Sequence, residues 1–455
     1  MSLIVVILAA GKGTRMRSEL PKVLHPMAGK PLLAHVCDVA RALDPREIRV
    51  VYGHGGDLVP QTLDDADLGW ALQAEQLGTG HAVDQAMPGL NDDDAVLVLY
   101  GDVPLLGVDT LKKLVNKLEQ APLAILTVEL DDAASYGRIV RDDNGAVTRI
   151  VEAKDATSAQ LDINEINSGI LTARAGDLKR WLAATGNDNA QGEYYLTDVV
   201  ELAVSEGVPV ADVQAPSERE ALGVNSKQDL AMVERIFQSD KAQRVMADGL
   251  TLRDPARFDL RGNLKFGADC VVDINVIVEG DVTLGDRVSI GPNVVLRDCQ
   301  IEDDAVIHAN CVIEEASVGA GSLVGPFARL RPGAKLVKDV HIGNFVEVKN
   351  STVGAGSKAN HLAYVGDSDV GESVNVGAGT ITANYDGANK HRTVIGDTAS
   401  IGSNVVLVAP VQVGAGATIG AGSTIGKDAP AGELTLTRAK QVSVKGWKRP
   451  VKKPK

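Results

Sequence analysis

Val282-Thr-Leu-Gly-Asp-Arg-Val-Ser-Ile-Gly-Pro-Asn-Val-Val-Leu-Arg-Asp-Cys-Gln-Ile301 is the stretch that decides the fold of more than a third of the chain. In it Leu284, Ile290 and Leu296 follow one another at six-residue spacing, and Ile301 resumes the pattern after a one-residue slip. Upstream the same register holds at Leu260, Phe266, Val272 and Val278. Downstream it runs through Ile307 and Ile313, then Val318, Val324, Leu330, Leu336, Ile342 and Val348, where the regular register is expected to stop, leaving only shorter runs at Val370 and Val376. A last register reads Ile395, Ile401, Leu407, Val413, Ile419 and Ile425. Glycine often comes next, as at Gly285, Gly291, Gly319, Gly343 and Gly402. Six is a multiple of the strand period of two but not of 3.6, so the repeat suits short strands turning at small residues and excludes a helix. Each unit can bury its aliphatic side chain only against the coil above and below. The segment is therefore read as a solenoid, a parallel β-helix. A narrow lumen filled by Val, Ile, Leu and Ala accounts for an aromatic content of 3% beside 44% hydrophobic residues.

The N-terminal half alternates strand and helix. Leu3–Leu8, Ile48–Tyr52 and Ala95–Tyr100 are continuous apolar runs, with helical patterns such as Leu32 to Leu43 between them. Buried runs of this kind imply a parallel sheet covered on both faces, hence a doubly wound α/β domain ending near Lys227. From Gln228 to Asp248 the spacing of Leu230, Val233, Phe237 and Val245 suits a connecting helix with one apolar side. The expected division is 1–227, a linker 228–248, and 249–455 for the solenoid and its tail.

Between the last two hexad registers lies Thr382-Ala-Asn-Tyr-Asp-Gly-Ala-Asn-Lys-His-Arg392. A polar insertion of this kind reads as a loop thrown out from one coil, and loops on rigid scaffolds often carry sites. After Glu433 there is no further acid, while eight Lys and Arg follow. That tail either solvates the end of the chain or meets an anionic ligand. The net charge of −14 argues against nucleic acid or an anionic membrane as the main partner. Cys37, Cys270, Cys299 and Cys311 show no C-x-x-C spacing and read as buried free thiols in a reducing compartment. No stretch reaches about 18 apolar residues, so a cytoplasmic location is expected.

Directly after the first strand comes Leu8-Ala-Ala-Gly-Lys-Gly-Thr-Arg-Met16, then Pro21-Lys22. Small residues and glycines at a strand end let the backbone approach a nucleotide and point N–H groups at phosphate. Arg15 and Lys22 add positive charge where pyrophosphate would leave. The string is not a Walker A loop, and Met16 stands where G-x-G-x-x-G needs its third glycine. Asp102 ends an apolar strand, the place where ligands of open α/β sheets collect.

This string resembles the signature of sugar-1-phosphate nucleotidyltransferases. The likeness extends through Gln73, Leu77-Gly-Thr-Gly-His81, Tyr100-Gly-Asp102, Tyr136-Gly-Arg138, Glu152-Ala-Lys154, Asn167-Ser-Gly169 and Gly223-Val-Asn225. Followed by a hexapeptide solenoid, the chain is similar over essentially its full length to the bacterial bifunctional UDP-N-acetylglucosamine pyrophosphorylase/glucosamine-1-phosphate N-acetyltransferases. The resemblance implies a doubly wound, Rossmann-like nucleotidyltransferase domain followed by a left-handed parallel β-helix assembled as a homotrimer. It implies two activities, acetylation of glucosamine 1-phosphate by acetyl-CoA and uridylyl transfer from UTP to the acetylated sugar, feeding peptidoglycan and lipopolysaccharide synthesis. It further implies that Leu8, Ala9, Ala10, Gly11, Gln73, Gly78 and Thr79 line the uridine pocket, with Tyr100 and Gly101 beside it. Lys22 and Arg15 would meet the triphosphate, Gly137, Glu152 and Asn167 the sugar, and Asp102 and Asn225 a Mg²⁺ ion. The chemistry needs positioning and charge neutralisation rather than an enzyme nucleophile.

Acetyl transfer needs a group to accept the ammonium proton, cations to hold the sugar phosphate, and donors for the thioester oxyanion. His361, in Asn360-His-Leu-Ala-Tyr364, matches the general base, with Glu347 a candidate to orient it. By the same resemblance Arg331, Lys349, Tyr364, Asn375 and Lys390 fall at glucosamine-1-phosphate positions. Ala378, Asn384, Tyr385, Ser403, Ala421 and Arg438 fall around acetyl-CoA. The remaining histidines, among them His35 and His81, read as surface or packing residues. The competing reading is a monofunctional nucleotidyltransferase whose β-helix is structural or regulatory.

Overall fold

The computed structural model describes residues 2–133 and 136–452; Lys453 and Lys455 of the basic tail lie outside them. The chain forms two compact units, one up to Phe237 and one from Gln238 onward. The boundary falls inside a single helix, Lys227–Ala247.

The first unit is built on a sheet whose strands are β1 (Leu3–Leu8), β2 (Glu47–Tyr52), β3 (Leu68–Leu72), β4 (Ala95–Tyr100), β5 (Leu123–Glu129), β6 (Arg138–Arg141), β7 (Val147–Val151), β8 (Glu165–Arg174) and β9 (Val210–Gln214). Their order is β9-β5-β8-β4-β1-β2-β3, with the β6–β7 hairpin attached to β8. Val5 and Ile7 of β1 pack into the core on one side of the sheet, and Ile4, Val6 and Leu8 into the core on the other. That is why the strand reads as an unbroken apolar run. Helix Leu32–Arg41 follows Pro31 and buries Leu32, Leu33, Val36, Cys37 and Ala40, a spacing of three and four that lays one face on the protein. The sheet is mixed rather than all parallel, because β8 runs antiparallel to both β4 and β5. An apolar strand covered on both faces has the same sequence in either direction, so its direction was not readable.

In the second unit three columns of side chains run up the lumen. One is Val278, Leu296, Ile313, Leu330, Val348 and Val365. The next is Leu284, Ile301, Val318, Leu336, Val353, Val370, Ile395 and Val413. The third is Val272, Ile290, Ile307, Val324, Ile342, Ala359, Val376, Ile401 and Ile419. All of them are buried, and every pairing between coils is parallel. The expected loss of regular hexads after Val348 is corrected: the short runs at Val370 and Val376 belong to an unbroken series through Val353, Ala359, Val365, Val370, Val376 and Thr382. Ala359 and Thr382 disguise the pattern because neither is a large aliphatic residue. Thr382 is nonetheless buried, its hydroxyl donating to Gly366 O at 3.0 Å and accepting from Gly366 N at 2.8 Å.

The corners of the coils are turned by single residues at positive φ, among them Asn275, Asn293, Asp304, Asn310 and Asn404. Asn and Asp tolerate that conformation better than other non-glycine residues. The segment 384–392 leaves the wall between Ile381–Ala383 and Thr393–Ile395 without breaking the ladder on either side.

Candidate active sites

The ends of β1 and β4 open into a cleft of about 510 Å³. Of the expected uridylyl-transfer residues, Leu8, Ala9, Ala10, Gly11, Lys22, Gln73, Gly78, Thr79, Tyr100, Asp102 and Asn225 line it. At its floor the Lys22 ammonium is ion-paired with the Asp102 carboxylate and donates to Asn225 Oδ1 at 3.1 Å. Residues 80 and 203 positions away along the chain thus meet at one cation-sized point. Gly13 makes this possible: it sits at φ 57°, and a Cβ there would lie 2.7 Å from the Cβ of Lys22. A larger residue would push Lys22 out of the cleft.

Gln73 is only 3% exposed, with Nε2 3.0 Å from Gly78 O and 3.1 Å from His81 Nδ1. Its amide N–H groups are therefore committed to the protein, and its carbonyl oxygen is the group left to face a ligand. His81 serves as a support for Gln73, and His35 packs edge-on to Phe237 while its Nε2 meets Met27 O at 2.8 Å. The sugar-side residues sit together next to Tyr100. Asn167 N donates to Gly137 O at 2.8 Å, and Glu152 Oε1 accepts from Thr197 Oγ1 at 3.2 Å. Burial pushes the Glu152 carboxyl up, against the Thr197 hydrogen bond, and nearby Asp155 adds to the rise. Burial also holds the Tyr100 phenol above its usual range, reinforced by the charges of Glu152 and Asp102. The β8 bulge between Asn167 and Leu171 is where Gly169 (φ 86°) passes the ring of Tyr100, so close that a Cβ would lie 2.7 Å from it.

Arg15 is exposed on the short helical turn Thr14–Met16 and does not line the cleft, nor do Gly101, Gly137, Glu152 and Asn167. Five lining residues were not anticipated: Lys12, Val23, Gln76, Ala82 and Glu193. Lys12 stood inside the quoted glycine string. Gln76 is held by its donation to Gln73 O at 3.2 Å. Glu193 comes from a segment without a motif, and only the fold brings it here.

On the β-helix, Tyr364 pairs with Glu347 in the ladder, and Lys349 with Gly366. Lys390 approaches Lys349 from the 384–392 loop and, with Arg331, holds the Lys349 ammonium below its usual range, opposed by the Asp367 charge. Three cations gathered in this way suit a phosphate. Asn384 Nδ2 donates to the Tyr364 hydroxyl at 3.4 Å. His361 ends the strand Lys358–His361, and its Nδ1 lies 3.0 Å from Asn344 Oδ1. With Nδ1–H donating there, Nε2 carries the lone pair that a general base needs. The expectation that Glu347 orients His361 is corrected, since the carboxylate of Glu347 is taken by Arg331 at 2.6 Å.

Ala378, Ser403 and Ala421 stack at one corner of successive coils. Asn404 N donates to Ala378 O at 2.7 Å, and Gly422 N to Ser403 O at 2.8 Å. The Arg438 guanidinium reaches this corner beside Gly420. Tyr385 is exposed on the loop, its hydroxyl donating to Gly387 O at 2.6 Å. Asn375 belongs to the other sheet, in a column with His341, Lys358 and Ser400, so one chain does not unite it with Lys349 and Tyr364.

Comparison with known proteins supplies an independent line. Residues 5–163 match the MobA-like NTP transferase domain family, and residues 263–298 and 392–427 match the bacterial transferase hexapeptide repeat. The bifunctional protein GlmU of Ralstonia nicotianae is 60% identical over 451 residues, 99% of each chain. That of Azoarcus sp. is 59% identical over 448 residues, 98% of this chain and 99% of its own. With both catalytic architectures present and identity of this level from end to end, the chain belongs to the GlmU family of bifunctional proteins.

Proposed function

We infer that the two groups of residues described above carry the two halves of one synthesis. The chain is a bifunctional enzyme that makes UDP-N-acetylglucosamine. It acetylates glucosamine 1-phosphate with acetyl-CoA and then transfers UMP from UTP to the product, releasing pyrophosphate. The observation that carries the site assignment is the meeting of Lys22, Asp102 and Asn225 at the floor of the strand-end cleft.

In uridylyl transfer, the backbone of residues 8–11 and Gly78 cradles the nucleotide, and the Gln73 carbonyl oxygen accepts from the uracil N–H. Glu152 and Asn167 hold sugar hydroxyls so that the phosphate oxygen stands in line with the α-phosphorus. Lys22 moves its charge onto the departing pyrophosphate, with Arg15 reaching in from the turn above. Asp102 and Asn225 offer two oxygen donors to the point that the Lys22 ammonium holds, a set that fits Mg²⁺ and would hold it beside the triphosphate. When bound, that ion neutralises triphosphate charge.

In acetyl transfer, Lys349, Lys390 and Arg331 hold the sugar phosphate, and His361 Nε2 takes a proton from the amine as its nitrogen bonds to the thioester carbonyl carbon; the C–S bond then breaks and CoA leaves as the thiol, taking up a proton. Ala378, Ser403 and Ala421 line the CoA side, with Arg438 on a CoA phosphate. The working assembly is a homotrimer. This is supported by an exposed apolar edge near His361, where Phe327 and Phe345 stack with ring centroids 5.2 Å apart and Leu362 follows on the next coil. In the trimer a neighbouring chain covers that edge and supplies Asn375. The reading divides the chain into 1–227 for uridylyl transfer, 228–248 as linker and 249–455 for acetyl transfer. It places the enzyme in the cytoplasm, in keeping with four free buried thiols. Among the described residues no helix is long and apolar enough to cross a membrane.

One coupled assay tests the whole. With UTP, Mg²⁺, acetyl-CoA and glucosamine 1-phosphate, thiol and pyrophosphate should both appear, and omission of acetyl-CoA should suppress both. Pyrophosphate release without acetyl-CoA would overturn the order of the two steps.

A further inference from the structure

One corner of the β-helix is turned by Asp298, Glu315, Gly333, Asn350 and Asp367 in turn, all at positive φ. Asp298, Glu315 and Asn350 are exposed there, whereas Asp367 is 3% exposed. What covers it is the base of the 384–392 loop. Asp367 Oδ1 accepts from Asn350 Nδ2 and Oδ2 from Asn384 Nδ2, each at 2.5 Å. Its backbone carbonyl accepts from Thr393 N at 3.1 Å, where the loop returns. Two residues on, Asp369 accepts from Arg392 Nε at 2.9 Å. The two ends of the loop are thus fastened to one short strip of wall, Asp367-Ser-Asp369. A buried carboxylate is tolerated only when paired and hydrogen-bonded. Here two amides supply the bonds, and Lys349 and Arg392 supply the charge.

We propose that Asp367 is a positioning residue of the acetyl-transfer site, fixing Asn384 and, through it, the Tyr364 hydroxyl and the loop that carries Tyr385 and Lys390. The inference rests on the acetyl-transfer reading of this face. Asp367 touches no substrate; it acts through the Asn384 amide, which it shares with Tyr364. Its negative charge also lies beneath Lys349, so it eases the mutual repulsion of Lys349, Lys390 and Arg331 before a phosphate arrives. With the loop base loosened, Lys390 and Tyr385 lose their fixed distance from Lys349 and Tyr364. Misplacement of positioning groups by about 1 Å costs on the order of 10²-fold in rate.

The test uses the full-length enzyme. Asp367→Asn keeps the shape but sets an amide against two amides. It should lower kcat/KM for acetyl transfer about 10- to 100-fold, leave uridylyl transfer unchanged, and leave the pH dependence of acetyl transfer where the base sets it. Trypsin should cut more quickly after Lys390 and Arg392. The exchange variant D367N/N350D restores an amide–carboxylate pair in reverse at the amide that touches no ligand and should recover several-fold of the loss. Should Asp367→Asn not fold, Asn350→Ala removes one of the two amides that hold Asp367, lies outside the acetyl-CoA contacts, and should show a several-fold loss with the fold kept. A folded Asp367→Asn enzyme within about twofold of wild type would overturn the proposal. So would an exchange variant no better than the single one. His361→Ala run in parallel separates the two levels: unimpaired thiol release there would sink the acetyl-transfer reading itself.

Discussion

The two units build their sites by opposite rules. In the α/β unit the residues that meet in one cleft come from positions 8–12, 22, 23, 73, 76, 78, 79, 82, 100, 102, 193 and 225. They meet because β1 and β4 lie side by side, with their ends at one edge of the sheet. In the β-helix the corresponding residues come round by counting. Ser403 and Ala421 are one coil apart, and Ile395 pairs with Val413 at the same interval. The step from Val370 to Ile395 is longer because it contains the loop. A site gathered by topology depends on the whole sheet, whereas a site gathered by stacking depends on its neighbouring coils. One insertion brings Asn384 and Lys390 against Tyr364 and Lys349 on an otherwise repetitive wall.

The largest effect expected from breaking this division is at His361. His361→Ala should reduce acetyl transfer by about 10²- to 10⁴-fold, the usual worth of a positioned general base. Pyrophosphate release with preformed N-acetylglucosamine 1-phosphate should stay near wild type. A stable variant keeping more than about a tenth of the acetyl-transfer rate would defeat that role.

Asp102→Ala is the mirror experiment. It removes the partner of Lys22 and one of two oxygen donors, and should cost roughly 10²- to 10³-fold in uridylyl transfer. Acetyl transfer should be untouched. Equal loss of both activities in a folded variant would mean that the sites are not separate.

The difference in architecture is sharpened by a core deletion. Ile342 is fully buried between Val324 and Ala359 in its column. Ile342→Ala should cost about 2–5 kcal/mol, and the loss should appear in the melting of the β-helix unit alone. Calorimetry that shows the uridylyl-transfer unit melting earlier by the same amount would contradict the picture of local stacking.

The smallest effect is electrostatic. Burial, together with Glu201, Glu152 and Asp155, raises the Asp198 carboxyl from 3.8 to about 6. The folded chain therefore holds that proton in a range where the unfolded chain has lost it. The first unit loses stability as pH rises from about 4 to 6 and keeps the lower value above. Asp198→Asn should flatten that slope and raise stability at pH 7 by about 1 kcal/mol or less, because the group keeps some contact with solvent and is partly screened. Urea titrations at pH 4, 6 and 7 would read it; an unchanged slope would place the proton elsewhere.

Much of the molecule was legible beforehand, and the reasons are particular. Leu284, Ile290 and Leu296 announce a coil because only one spacing buries all three. The glycine string after β1 announces a phosphate-handling turn because Gly13 has to pass beside Lys22. Other features were hidden. Ala359 and Thr382 fill lumen positions without looking aliphatic, so the regular repeat seemed to stop. The direction of β8 leaves no trace in a strand buried on both faces. Glu347 looked available to His361 until Arg331 proved to hold it, and Asn344 took its place.

By itself the sequence determined what depends on local spacing: the hexad wall, the apolar strands, the turn after β1, and the identity of the groups able to handle phosphate or a proton. Such features follow from the periods of strand and helix and from side-chain chemistry, which need no knowledge of distant residues. Tertiary structure alone decided which of those groups meet. Lys22, Asp102 and Asn225 converge because the fold brings the turn after β1 and the segment before the helix Lys227–Ala247 against the end of β4. Asp367 differs from Asp298 and Glu315, its counterparts on other coils, only because a loop folds back over it. Those are long-range contacts, and whether a carboxylate is buried or exposed, paired with a lysine or an amide, is set by what the fold brings against it rather than by its neighbours in sequence.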